Sequence, residues 1–111
     1  LGEFYAREAV VYIEHNYDKD ITVEDIARRC KLDRSYFGKV FKKAVGQSPQ
    51  EFLIRYRMSK AADALIIGDD SVGDIGASVG YPNLLHFSRA FKGVYGVSPR
   101  EYRQKNKIID R

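Results

Sequence analysis

The chain has 111 residues, 44% of them apolar, which leaves room for one compact domain or two very small ones sharing an element. Net charge is +4, but residues 1–30 carry a balance of −3, residues 31–60 of +6 and residues 61–111 of +1, so the middle offers a positive face to an anionic partner. The single cysteine, Cys30, excludes an internal disulfide and suits a reducing, cytoplasmic setting, and no run approaches ~18 apolar residues, so no membrane span is expected.

A first helix is expected from about Glu3 to Asn16, packing Phe4, Ala9, Val10 and Ile13. Thr22 then caps a short helix, with Asp25 three residues on and Ile26, Ala27 and Cys30 as its apolar stripe. Cys30 reads as a small core residue. Lys31-Leu32 make a turn, and Asp33 caps a helix that runs to about Val45 and stops at Gly46. Ser48-Pro49-Gln50-Glu51 spells a capping box with proline at the first helical position. It opens a long helix to about Ile67, ~18 residues or about 27 Å. Leu53, Ile54, Met58, Ala61, Ala62 and Leu65 give that helix apolar faces toward what lies before and after it. Ser71 caps a fifth helix with Asp74 three residues later; Ile75, Gly76 and Val79 face inward and Gly80 makes the turn. Asn83 caps a sixth helix that ends at Gly96. A second capping box, Ser98-Pro99-Arg100-Glu101, opens a closing helix bearing Tyr102, and residues from about Lys105 to Arg111 are expected to fray.

The second half repeats the first. At an offset of 50, Phe37, Phe41, Lys42, Gly46, Ser48-Pro49 and Glu51 meet Phe87, Phe91, Lys92, Gly96, Ser98-Pro99 and Glu101. Lys39 meets Arg89 and Phe52 meets Tyr102. Upstream the offset is 49: Asp25-Ile26-Ala27 meets Asp74-Ile75-Gly76, and Lys31 meets Gly80. The expected fold is therefore all-α, with seven helices in two homeodomain-like helix-turn-helix subdomains. The first covers residues 1–47 and the second residues 68–111, with a connecting helix over residues 48–67.

A helix-turn-helix places its second helix in the DNA major groove, so that helix needs one apolar and one exposed polar face. Phe37, Val40, Phe41 and Ala44 form the core face of the first such helix, which leaves Arg34, Ser35, Gly38, Lys39 and Lys42 outside. Phe87, Ala90, Phe91 and Val94 do the same in the second, and Leu84, Leu85, His86, Ser88, Arg89 and Lys92 occupy the remainder.

With Ile26-Ala27, Tyr36-Phe37, Phe41-Lys42-Lys43, Gly46 and Ser48-Pro49 in the first unit, the chain resembles the AraC-type (arabinose-regulator-like) family of bacterial transcription regulators. In the second unit the resemblance rests on Val79-Gly80-Tyr81, Phe87-Ser88-Arg89, Phe91-Lys92, Gly96 and Ser98-Pro99-Arg100-Glu101-Tyr102-Arg103. It implies sequence-specific binding to double-stranded DNA, with two recognition helices in successive major grooves ~34 Å apart. It places base contacts on Ser35, Gly38, Lys39, Leu85, His86 and Arg89. Phosphate contacts are expected from Arg34, Lys42, Lys43, Lys92 and helix N-termini, with Arg55, Arg57, Arg100 and Arg103 as weaker candidates. The resemblance also implies RNA polymerase as a partner. The start at Leu1 suggests an N-terminal sensing or receiver domain elsewhere in a longer protein.

Two features depart from the family's pattern. Leu84 and Leu85 replace polar residues at the start of the second recognition helix; Leu84 is expected to pack inward beside Phe87 and Ala90, and Leu85 to meet thymine methyls. Lys31 stands where glycine is common, so it must accept the turn's backbone or bend it. An enzyme is not expected: His15 and His86 have no cysteine or carboxylate at metal-ligand spacing, Gly73, Gly76 and Gly80 make no dinucleotide fingerprint, and no cofactor is implied. The rival reading is a protein-interaction module on the same scaffold, which Leu84-Leu85 would suit.

Overall fold

The computed structural model describes residues 1–107. Within them lie seven helices: α1 (Gly2–Asn16), α2 (Val23–Arg29), α3 (Arg34–Val45), α4 (Pro49–Ile67), α5 (Val72–Ser78), α6 (Leu84–Tyr95) and α7 (Pro99–Asn106). No strand is found among the described residues. The chain divides into two compact units, Leu1–Ile54 and Arg55–Arg111, and the division falls inside the 19-residue α4.

In the first unit, α1 packs on α2 and α3. Its inward row is Ala6, Ala9 and Ile13, spaced at roughly one helical turn. Phe4 is not part of that row: it lies five residues before Ala9, on the far side of the helical period, and it is exposed against the edge of Tyr5. Val23, Ile26, Ala27 and Cys30 come in from α2, Phe37 and Phe41 from α3, and Leu53 from the start of α4. The Cys30 thiol donates to the Tyr5 carbonyl at 3.7 Å, and burial pushes its pKa up, so it behaves as a small core group. Ala44 is exposed, a departure from the expected core face; it opens on a groove between α1 and α3 that Tyr5, Tyr36 and Val40 also line.

The second unit closes Met58, Ala61, Ala62 and Leu65 of α4 over Ile75 and Val79 of α5 and Phe87 and Phe91 of α6. α7 is tied back to the end of α4. Arg103 donates from Nε to the Leu65 carbonyl at 3.0 Å and from Nη2 to the Asp70 carbonyl at 2.6 Å. Lys107 donates to the Gly68 carbonyl at 2.6 Å and pairs with Asp69, whose carboxyl it holds below its usual pKa. The Leu65 contact satisfies a carbonyl that the last turn of α4 leaves without a helical partner, and the others hold the chain just beyond it. Lys105 and Asn106 are helical and Lys107 is anchored, so the expected fraying does not begin there; the rest of that expectation, residues 108–111, lies outside the described residues.

Both helix-turn-helix turns use the same closure. The Leu32 amide donates to the Ala27 carbonyl and the Lys31 amide to the Arg28 carbonyl, each at 3.0 Å. The Tyr81 and Gly80 amides do likewise toward Gly76 (2.8 Å) and Ala77 (3.1 Å). This closure requires a left-handed residue just past the helix end. Gly80 fills that place at φ 94°, and Lys31 fills it at φ 60°. Lysine thus accepts the turn's backbone rather than bending it, at a cost that glycine avoids. Lys31→Gly is expected to raise stability by about 0.5–1 kcal/mol, read as a higher urea midpoint at unchanged m-value. A lower midpoint would mean that the lysine side chain makes contributions exceeding its backbone strain.

Candidate nucleic-acid interface

Each recognition helix is fixed at its start by a side-chain cap and at its end by a left-handed glycine. The Asp33 carboxylate accepts from the Tyr36 amide at 3.0 Å, and the Asn83 side-chain Oδ1 accepts from the His86 amide at 3.0 Å. Gly46 (φ 88°) and Gly96 (φ 80°) stop α3 and α6, each donating its amide 2.8 Å back to Lys42 or Lys92. The helices before the turns are capped as expected. Thr22 and Asp25 make a reciprocal box, and the Thr22 amide, then its hydroxyl, then Arg28, hold the Asp25 carboxyl below its usual pKa. Ser71 accepts from the Asp74 amide at 3.0 Å.

Burial along α3 and α6 is nearly the same. Phe37 and Phe41 are fully buried in α3, and so are Phe87 and Phe91 in α6. On α3, Arg34, Ser35, Lys39, Lys42 and Lys43 are exposed; Gly38 is half-buried, and a carbon added to it would meet nothing within 4 Å. On α6, Leu84, Leu85, His86, Arg89 and Lys92 are exposed and Ser88 is half-buried. Tyr36, at the position matching His86, is exposed as well, which its aromatic character gives no reason to expect.

Four placements differ from expectation or add to it. Leu84 does not pack beside Phe87 and Ala90; it is 52% exposed. Its match on α3, Arg34, reaches Glu24 of α2, but the residue matching Glu24 is Gly73, which has no side chain to cover a leucine. Arg34 itself is paired, its Nη1 2.7 Å from Glu24 Oε2 with both groups at the surface. Such a pair is worth ~0–1 kcal/mol, so it releases the arginine cheaply to a stronger partner. Arg57 is no phosphate contact: it is 8% exposed, with its guanidinium 5.7 Å from the centre of the Tyr81 ring. Arg103 is likewise unsuited to the backbone of a nucleic acid, because its fork is already spent on the Leu65 and Asp70 carbonyls. Arg55 and Arg100 are exposed. Among the described residues no cluster of three metal-ligating side chains occurs, and no helix is long and apolar enough to cross a membrane.

The charge is graded between the two helices. α3 carries Arg34, Lys39, Lys42 and Lys43, whereas α6 carries Arg89 and Lys92. The cap of α3 is an anion and that of α6 is neutral, so a phosphate near the start of α3 meets Asp33 while one near the start of α6 meets no carboxylate at the cap.

Comparison with known proteins agrees with this arrangement. A helix-turn-helix domain family model matches residues 26–105. The lactose operon transcription activator of Staphylococcus xylosus is 42% identical over 97 residues, which make up 87% of this chain and 35% of that protein. The Msm operon regulatory protein of Streptococcus mutans is 34% identical over 101 residues, 91% of this chain and 36% of its own length. The chain thus spans about a third of the length of these relatives. Among solved structures, the C-terminal domain of AraT, a response regulator from Geobacillus stearothermophilus, superposes with a TM-score of 0.92 at 33% identity, covering 96% of this chain and 88% of that one. The DNA-binding domain of AdpA, a global transcriptional factor solved in complex with a target DNA, gives a TM-score of 0.84 at 28% identity, with 90% of each chain covered. The doubled, capped helix-turn-helix with a cationic outer face and these likenesses together place the chain in the AraC-type family of transcription regulators, as a sequence-specific DNA-binding domain.

Proposed function

We propose that the chain sets α3 and α6 into successive major grooves of one duplex, with Ser35, Gly38, Lys39, Leu85, His86 and Arg89 at base edges and Arg34, Lys42, Lys43 and Lys92 on phosphates. The observation that carries this reading is the matched burial of the two helices, each of which hides a phenylalanine pair and leaves these positions exposed, Gly38 in part. The chemistry differs by position. The Arg89 fork suits guanine O6 and N7, and Lys39 offers a less directional donor to the same atoms. Ser35 donates or accepts, and the His86 ring donates. The open space above Gly38 lets the backbone of α3 come close to a base pair. Lys42, Lys43 and Lys92 supply charge without sequence information. RNA polymerase as a partner belongs to the same proposal, as does a sensing or receiver region on the same polypeptide; the latter is supported by relatives about three times the length of the matched region.

Titration against a panel of duplexes at several salt concentrations tests the division of labour. Arg89→Ala is expected to relax preference at one base pair by about tenfold. Lys42→Ala is expected to weaken all duplexes about equally and to reduce the salt slope by about one. Loss of affinity in both variants with the preferred sequence unchanged would remove Arg89 from base reading. Failure to retain any duplex at low ionic strength would overturn the whole reading.

A further inference from the structure

We infer that Leu84 and Leu85 act together as a reader of thymine methyl groups, so that the second unit adds apolar readout to its polar base contacts where the first unit presents Arg34 and Ser35. The inference rests on the DNA-binding reading above. The two leucines are 52% and 56% exposed at the first two positions of α6, where the matching residues of α3 are Arg34 and Ser35. Where Glu24 of α2 meets Arg34 in the first unit, α5 has Gly73, which offers no side chain to Leu84. They are not a separate patch. Leu85 precedes Arg89 by four residues, and Leu84 precedes Ser88 by four and Lys92 by eight, so the leucines stand at the head of the rows that carry the cations.

A partner for this face must be polyanionic along most of its length and apolar at one end. The major groove meets both requirements, because the thymine 5-methyl is the apolar group among its base edges. A protein partner drawn by the leucines would have to accept Arg89 and Lys92 beside them. The neutral cap at Asn83 leaves the approach open to a phosphate backbone, where an aspartate would oppose it.

The test uses this chain and its preferred duplex from a random-sequence selection, with each thymine replaced singly by uracil, which removes the methyl and nothing else. One or two positions are expected at which uracil weakens binding about fourfold each. At those positions the double variant Leu84→Ser/Leu85→Ser should bind the thymine and uracil duplexes equally. Both side chains are exposed, so the variant should keep its helical circular dichroism; if it does not, the uracil scan of the unaltered chain decides alone. No effect of uracil anywhere, with sequence preference intact, would overturn the inference and leave the DNA reading standing. A double variant that binds every duplex as the parent does would overturn the inference, because the leucines would then take no part in methyl reading. Absence of duplex binding at low salt would sink the DNA reading first and this inference with it.

Discussion

Phe91→Ala should cost the second unit about 3–5 kcal/mol. The ring is fully buried and touches three others: Phe87 at 6.0 Å between centroids, Tyr95 stacked at 4.7 Å and Tyr102 edge-on at 5.4 Å. Tyr102 belongs to α7 and the rest to α6, so this ring joins the recognition helix to the closing helix. Tyr95 and Tyr102 also meet each other at 5.2 Å, which leaves stiff groups around the site that cannot collapse into the space. Burial first, then Tyr102 and Asp63, push the Tyr95 hydroxyl above its usual pKa. A unit of this size is held by about 3–8 kcal/mol, so the substitution removes most of its stability. Urea denaturation followed by circular dichroism gives the total, and native-state hydrogen exchange says which amides lose protection; those of α5, α6 and α7 should. In the first unit Phe41 meets Phe37 and Phe52, each at 5.6 Å, so Phe41→Ala leaves fewer rings around the hole and belongs at the lower end of the range, about 3 kcal/mol. A loss under about 1 kcal/mol at Phe91 would mean that the neighbouring rings do close over the gap.

Local chemistry is what the sequence displays well. Thr22, Asp33, Ser48, Ser71, Asn83 and Ser98 all accept from the amide three residues on, because a cap needs only its own first turn to be recognised. The outward faces of α3 and α6 follow from phenylalanines four residues apart, for the same reason. Misjudged positions depend on what lies across from them. Ala44 and Leu84 sit at the ends of apolar stripes, and periodicity does not say where the covering element ends, whereas Phe4 lies off the stripe of its helix altogether. Arg57 carried a usable signal, since it falls on the row Leu53, Arg57, Ala61 and Leu65, four residues apart and buried throughout. An arginine on such a row must find a partner inside, and the Tyr81 ring is one. Arg103 carried none: its carbonyl partners are 38 and 33 residues away.

Gly76→Ala tests the close approach of α5 to α6 and should destabilise the second unit by about 2 kcal/mol net. A β-carbon at Gly76 would lie 2.8 Å from both Cγ and Cδ2 of Phe87 and 3.1 Å from its Cβ. Carbon atoms do not pack that tightly, so either α5 or the ring has to move. Phe87 cannot swing aside freely, because it is fully buried between Tyr81 at 6.2 Å and Phe91 at 6.0 Å. Overpacking of this kind costs about 3 kcal/mol, against about 1 kcal/mol gained from alanine's better helix propensity. The first unit supplies the control. It holds Ala27, buried, at the matching position, so there the methyl is accommodated, and Ala27→Gly should cost about 1 kcal/mol from helix propensity plus the lost methyl burial. Opposite signs are thus expected for the same exchange at two repeated sites: the methyl helps at residue 27 and harms at residue 76. A raised urea midpoint for Gly76→Ala would show that α5 has room to retreat and that glycine there is only a weak helix former. If instead the helix is pushed off, the turn at Gly80 and the cap at Asn83 shift with it, and duplex affinity should fall in the variant even at temperatures where circular dichroism reports it folded.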